Sequence, residues 1–160
     1  MYYIICYTVR MDLSVISDSE AAYEKFFSEC DAMAAGKFIL AERNIRSVLK
    51  TIAGSSVLLS VFAYAATGYN FAPEFDRRVA VENGRKSLAP PQNDRDFLAF
   101  AYCLLMEIDG RNIDFHKLLN EYYAADDMAD SYRLFCAAAV LPMKAAVRAV
   151  RDAEQFEYVI

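Results

Sequence analysis

The chain has 160 residues, of which 56% are hydrophobic and 24% charged, with a net charge of −5. That size and balance suit one domain built on one core. A globally acidic chain is repelled by nucleic acid and by anionic lipid unless a local patch overrides the field.

Gly and Pro number only 5 and 4 beside abundant Ala, a balance that favours helix over a turn-rich β fold. Eleven Tyr and eleven Phe argue for a packed interior. The expected fold is all-α, a compact bundle of six to eight helices with β-prone termini. Residues 1–16 read as an N-terminal extension, 17–156 as a single helical domain and 157–160 as a tail.

Residues 2–9, Tyr-Tyr-Ile-Ile-Cys-Tyr-Thr-Val, are β-favouring types. The one comparable run is Phe156 to Ile160. Pairing of the two ends, fraying and a helical extension stand open, as does translation from Met11. No positively charged leader precedes the run, so it does not read as a secretory signal.

The first helix is expected from Ser17 or Asp18. Ser17-x-x-Glu20 has the form of a capping box, and Tyr23, Phe26, Phe27, Cys30 and Met33 follow as an apolar stripe. Gly36 marks its end. A second helix covers 37–53 with Phe38, Ala41, Ile45, Val48 and Ile52 inward. A third covers 56–67, capped by Ser55 or Ser56. No charge occurs from Thr51 to Pro73, yet glycines and polar residues interrupt the run, which reads as a core helix and not a membrane span.

Pro73 suits the first turn of a short helix reaching about Glu82. Asn83-Gly84 stops it, and Arg85 to Gln92 is the most loop-like stretch. Asn93 or Asp94 caps the next helix, through Asp109. Phe97 to Met106 is uncharged on every side, the mark of a central helix. After a turn at 109–112, Asp114 caps a helix whose stripe is Phe115, Leu118, Leu119 and Tyr122. The last begins near Asp127, and Pro142 is expected to kink or split it.

The candidate chemistry is sparse. With His116 the single histidine, His-built zinc sites and Ser-His or Cys-His catalysis have one possible member. Cys6, Cys30, Cys103 and Cys136 lack CxxC spacing and read as free thiols in a reducing compartment. Aligning Gly110 with position six of an EF-hand loop leaves Leu105 and His116 where a hard cation needs oxygen ligands. Glu121, Asp126, Asp127 and Asp130 sit where a helix start wants negative charge. No phosphate loop or nucleophile elbow occurs. No catalytic residue, metal or cofactor is therefore expected.

Charge is segregated. Residues 36–86 hold eight cations and four anions, while both flanks are acidic. Arg43, Arg46 and Lys50 recur on one helix face, and Arg77, Arg78 and Arg85 extend the basic stretch, so these six are the candidate binding residues. A protein partner, or a second copy of the chain in a homo-oligomer, fits better than nucleic acid, and no membrane partner is expected. The leading reading is a non-enzymatic interaction module that self-associates. One alternative is a small-ligand or enzyme site using Glu107, Glu121 and Asp126 with His116. The other is an anion binder on the basic helix face.

Two stretches carry a resemblance. One runs from Phe26-Phe27 through Gly36-Lys37-Phe38-Ile39-Leu40-Ala41-Glu42-Arg43-Asn44-Ile45 to Leu49-Lys50. The other runs from Phe97 to Asp109, then Leu118-Leu119-Asn120-Glu121-Tyr122-Tyr123 and Ser131-Tyr132 to Pro142. Together they resemble a bacterial family of uncharacterised helical proteins. The resemblance implies a cytoplasmic helical domain and transfers no functional residues.

Overall fold

The computed structural model describes the backbone of residues 2–157 and the side chains of residues 18–154. The side chain of Cys6, the Tyr2-Tyr3 pair and the end of the Phe156–Ile160 run lie outside the described residues. The fold is all-α apart from one small hairpin.

Helix α1 (Tyr2–Ala35) is 34 residues long, so of the alternatives open for the β-prone residues 2–9 it is the helical extension that the backbone takes, and the strand pairing is corrected. The expected start at Ser17 is corrected as well. Backbone there is mid-helix, so no helix begins at Ser17. A 3-10 turn (Phe38–Leu40) leads into α2 (Ala41–Ala53). Helix α3 (Ser56–Ala66) opens with the Ser55 hydroxyl accepting from the Leu58 N–H, one of the amides a helix start leaves unpaired.

Helix α4 (Phe71–Arg78) ends four residues before the expected Glu82. Strands β1 (Val79–Glu82) and β2 (Arg85–Leu88) follow as an antiparallel hairpin, which overturns both the helical reading of 79–82 and the loop reading of 85–88. Asn83 (φ 52°) and Gly84 (φ 75°) both take the left-handed conformation. A two-residue turn of that type matches the natural twist of paired strands, and Asn-Gly is its preferred sequence. The β-branched Val79 and Val81 favour extended backbone, and the turn lets them take it.

Helix α5 (Asp94–Asp109) is capped by Asn93, whose side chain accepts from the Asp96 N–H at 2.8 Å. It packs on α2, α3 and α4 and on the final helix α8 (Leu141–Glu157). Most of its uncharged stretch is thus the centre of the core, with Phe97 to Ala101, Leu104 and Leu105 buried, as is Ile108 beyond it, while Met106 is 48% exposed. Asp114 caps α6 (Phe115–Tyr122) and Asp127 caps α7 (Met128–Phe135), each accepting an amide three residues on.

Between α7 and α8 lies a π turn, Cys136–Val140. Proline at 142 has no N–H to offer the carbonyl four residues back, and its ring crowds that turn. Widening one turn relieves the crowding without breaking the rod, so the expected split takes the form of a π insertion.

The α1–α8 seam is closed by charge. Lys144 Nζ meets Asp31 Oδ1 at 2.6 Å, Arg151 meets Glu24 Oε1 at 3.1 Å, and Arg148 and Arg151 both lie 5.1 Å from the Phe27 ring centre. At the end of α1 the buried Tyr132 hydroxyl donates to the Met33 carbonyl at 2.7 Å, occupying one of the acceptors a helix end leaves open.

Gly36 does follow α1 as expected, but its backbone is not left-handed. Space is the constraint: a Cβ there would sit 2.8 Å from Asn44 Nδ2 and 3.0 Å from the Ala32 carbonyl oxygen. Gly36→Ala is expected to destabilise the protein by about 1–3 kcal/mol through overpacking. A urea titration reads this as a lowered midpoint at unchanged slope, and an unchanged midpoint would show that Asn44 simply turns away.

Candidate functional site

The candidate thiol and histidine chemistry is dispersed. Cys30 and Cys136 are buried, and burial pushes their thiols up to about 12 and about 11 respectively. Neither supplies a useful amount of thiolate near neutrality. His116 is exposed at the start of α6, its Nδ1 3.1 Å from Asn120 Nδ2. Among the described residues no group of three or more His, Cys, Asp or Glu side chains is placed to hold a metal ion.

The six basic candidates divide between two parts of the molecule. Arg43, Arg46 and Lys50 form an exposed row on α2, where Arg46 Nε meets Asp109 Oδ1 at 3.3 Å. Arg77 and Arg78 end α4, and both reach Glu74, at 2.8 and 3.8 Å. Arg85 begins β2, exposed beside the hairpin turn. Helix α2 packs on α1, α3 and α5, whereas α4 and β2 meet α5 and α6.

Two grooves flank α6. The smaller, of about 370 Å³, has Phe71, Phe75 and Tyr122 in its wall and Asp76, Glu107 and Asp114 around it. It gathers Glu107 and Glu121 as the carboxylate reading expects, without Asp126 or His116. Two of its carboxylates already have work: Asp114 accepts the Lys117 amide, and Glu121 accepts from Lys86 Nζ at 2.7 Å. The larger groove, of about 780 Å³, runs between the hairpin and α6–α7, with Arg85, Ser87 and Leu88 on one side and Tyr122, Tyr123 and Leu134 on the other.

Sequence reasoning missed the hairpin, although the Asn83-Gly84 signal was visible. The hairpin lies on the helical body through β2, which packs on α6, and most of its remaining surface is open. Only Val79 and Leu88 are half-buried; the other six strand residues are exposed, Val81 at 67%. The register pairs Glu82 with Arg85, Val81 with Lys86, Ala80 with Ser87 and Val79 with Leu88. One step further, the Ala89 amide donates to the Arg78 carbonyl at 2.7 Å. Hydrogen-bonded pairs alternate in an antiparallel ladder, so 78–89, 80–87 and 82–85 are the bonded ones. Val81, Lys86 and Leu88 therefore turn both main-chain groups away from the hairpin, and Val79 its carbonyl. The Val79 N–H turns back to the Asp76 carbonyl, ending α4. No other main-chain bond among the described residues takes up those outward groups.

The fold and surface thus define an all-α body carrying a two-stranded arm. No family model, no curated protein and no solved structure matches the chain. No single helix among the described residues is long and apolar enough to cross a membrane; α2 with its 3-10 turn and α3 would be long enough together but are bent by 101°.

Proposed function

We propose that the chain is a protein-interaction module that self-associates, with the hairpin arm as the element that reaches the partner. The arm carries this reading. Strand β1 is an edge of the sheet, and an edge whose outer main-chain groups are unpaired is a template for another strand. Free Cys30, Cys103 and Cys136 support a reducing compartment, in keeping with the bacterial cytoplasm that the family resemblance implies.

Sedimentation equilibrium over a wide concentration range tests it. The native chain is expected to show a reversible monomer–dimer equilibrium. A chain lacking 79–82 and 85–88 joins Arg78 through Asn83-Gly84 to Ala89, and it should be monomeric. That shortening is geometrically mild, because 78–89 is a bonded pair like the 82–85 pair that now closes the turn. A native chain that stays monomeric at the highest concentration sinks the reading.

A further inference from the structure

Resting on that reading, we infer that a second copy of this chain docks on the free edge of β1, strand β1 pairing antiparallel with its twin about a two-fold axis at Ala80. The result is a four-stranded sheet in the order β2-β1-β1-β2 with an identical contact on both sides, as two-fold symmetry requires.

Three observations point to this register. First, the open groups match. Val81 directs its N–H outward and Val79 its C=O, so each Val81 amide can donate to the Val79 carbonyl of the other copy. The Val79 N–H, held by Asp76, is not required.

Second, the side chains match. Residues 79, 81, 86 and 88 share the face turned toward the body, where Leu88 packs on the core and Lys86 reaches Glu121. Directly opposite residues lie on the same face, so Val81, 67% exposed, comes to rest beside the other copy's Val79. On the axis the two Ala80 residues meet as a non-bonded pair, the closer kind, and alanine is small enough for it.

Third, the charges match. The same register sets Glu82 of each strand opposite the Arg77-Arg78 end of the other, acid against base at both ends of the joint. Arg78 is available for a second carboxylate. Its contact with Glu74 is 3.8 Å long, and 27% of its side chain stays exposed. Edge strands that must stay single are guarded by lysine, proline or a bulge. Val79-Ala80-Val81 has none of these, whereas β2 carries Arg85 and Lys86.

The two-fold register makes a cysteine experiment decisive. A non-bonded antiparallel pair sets its Cα atoms about 4.5 Å apart, within the range a disulfide spans. Ala80→Cys is expected to give a disulfide-linked dimer on mild oxidation, above whatever the native chain forms. Ser87→Cys, about three strand spacings from its twin, should not. Val81→Pro removes both intermolecular donors while sparing the hairpin ladder, since the Val81 N–H points outward. It is expected to weaken association by about a hundredfold or more, symmetry counting the loss twice. Glu82→Arg, exposed and outside the ladder's apolar face, should weaken it too, and added salt should weaken the native dimer. Unchanged far-UV circular dichroism checks that each variant folds. If the native chain dimerises but Ala80→Cys does not cross-link and Glu82→Arg and Val81→Pro associate normally, the β1 edge is wrong and self-association stands. If the native chain is a monomer and Ala80→Cys does not cross-link, both fall.

Discussion

Phe62→Ala is expected to cost about 3–5 kcal/mol of stability, the range for truncating a fully buried aromatic side chain. Phe62 lies on α3 with no exposed surface, and its ring is 5.7 Å from Phe26 of α1 and 5.2 Å from Tyr102 of α5. It therefore ties α3 to both α1 and α5. Domains of this size have only about 5–15 kcal/mol in total, so the variant should melt about 10 °C or more below the native chain. Tyr64→Ala on the same helix is the comparison. That ring is 66% exposed and lies beside the Arg95 guanidinium, 4.3 Å from its centre, a contact of about 0.5–1 kcal/mol. Equal melting points for the two variants would mean that α3 does not bridge α1 and α5.

Alkaline pH is the second large lever. Burial raises the Tyr23 and Tyr132 phenols well above their ordinary value of 10.0, with the Glu154 carboxylate that accepts from Tyr23 adding to the first. Burial likewise pushes Tyr69 and Tyr123 up to about 12. A phenol whose folded value is raised stays protonated in the fold while the unfolded chain releases its proton. The stabilisation is complete below pH 10 and is lost as pH climbs from there through the folded values. The tyrosinate absorbance of these buried rings should therefore appear together with the loss of helix signal in one cooperative step above pH 10. A gradual tyrosinate titration centred near 10 with the helices intact would show these rings to be open to water. Tyr132→Phe should shift the step upward if the fold tolerates losing the bond to the Met33 carbonyl.

Much of the helical layout was legible because its signals are local. Ser55, Asn93, Asp114 and Asp127 cap helices where a polar residue meets an apolar run, and the chemistry of a cap involves only three or four neighbours. The uncharged stretch from Phe97 to Met106 marked the central helix for a related reason: a rod without a polar side has to be surrounded. Pro142 announced a break, since a missing amide acts wherever it occurs, although whether the chain bends or widens depends on what packs around it.

The errors have physical causes of their own. Val79-Ala80-Val81-Glu82 has no apolar alternation long enough to declare a strand, so in the sequence Asn83-Gly84 reads as a helix stop and not as the centre of a hairpin. The Ser17-x-x-Glu20 pattern is a sound cap in isolation, but it is silent when the preceding residues continue the helix. The candidate site was the least legible. Six basic residues from one stretch of sequence lie on different elements, α2, α4 and β2, and the grooves beside α6 have walls thirty or more positions apart in sequence.

Composition, charge and local capping were enough to establish an all-α body around one aromatic core, because burial and backbone satisfaction impose those patterns residue by residue. The hairpin arm, its register and its open β1 edge came from the three-dimensional arrangement alone. A strand has no partners of its own along the chain, so where it pairs, and which of its edges is left bare, depends on what the rest of the molecule places beside it.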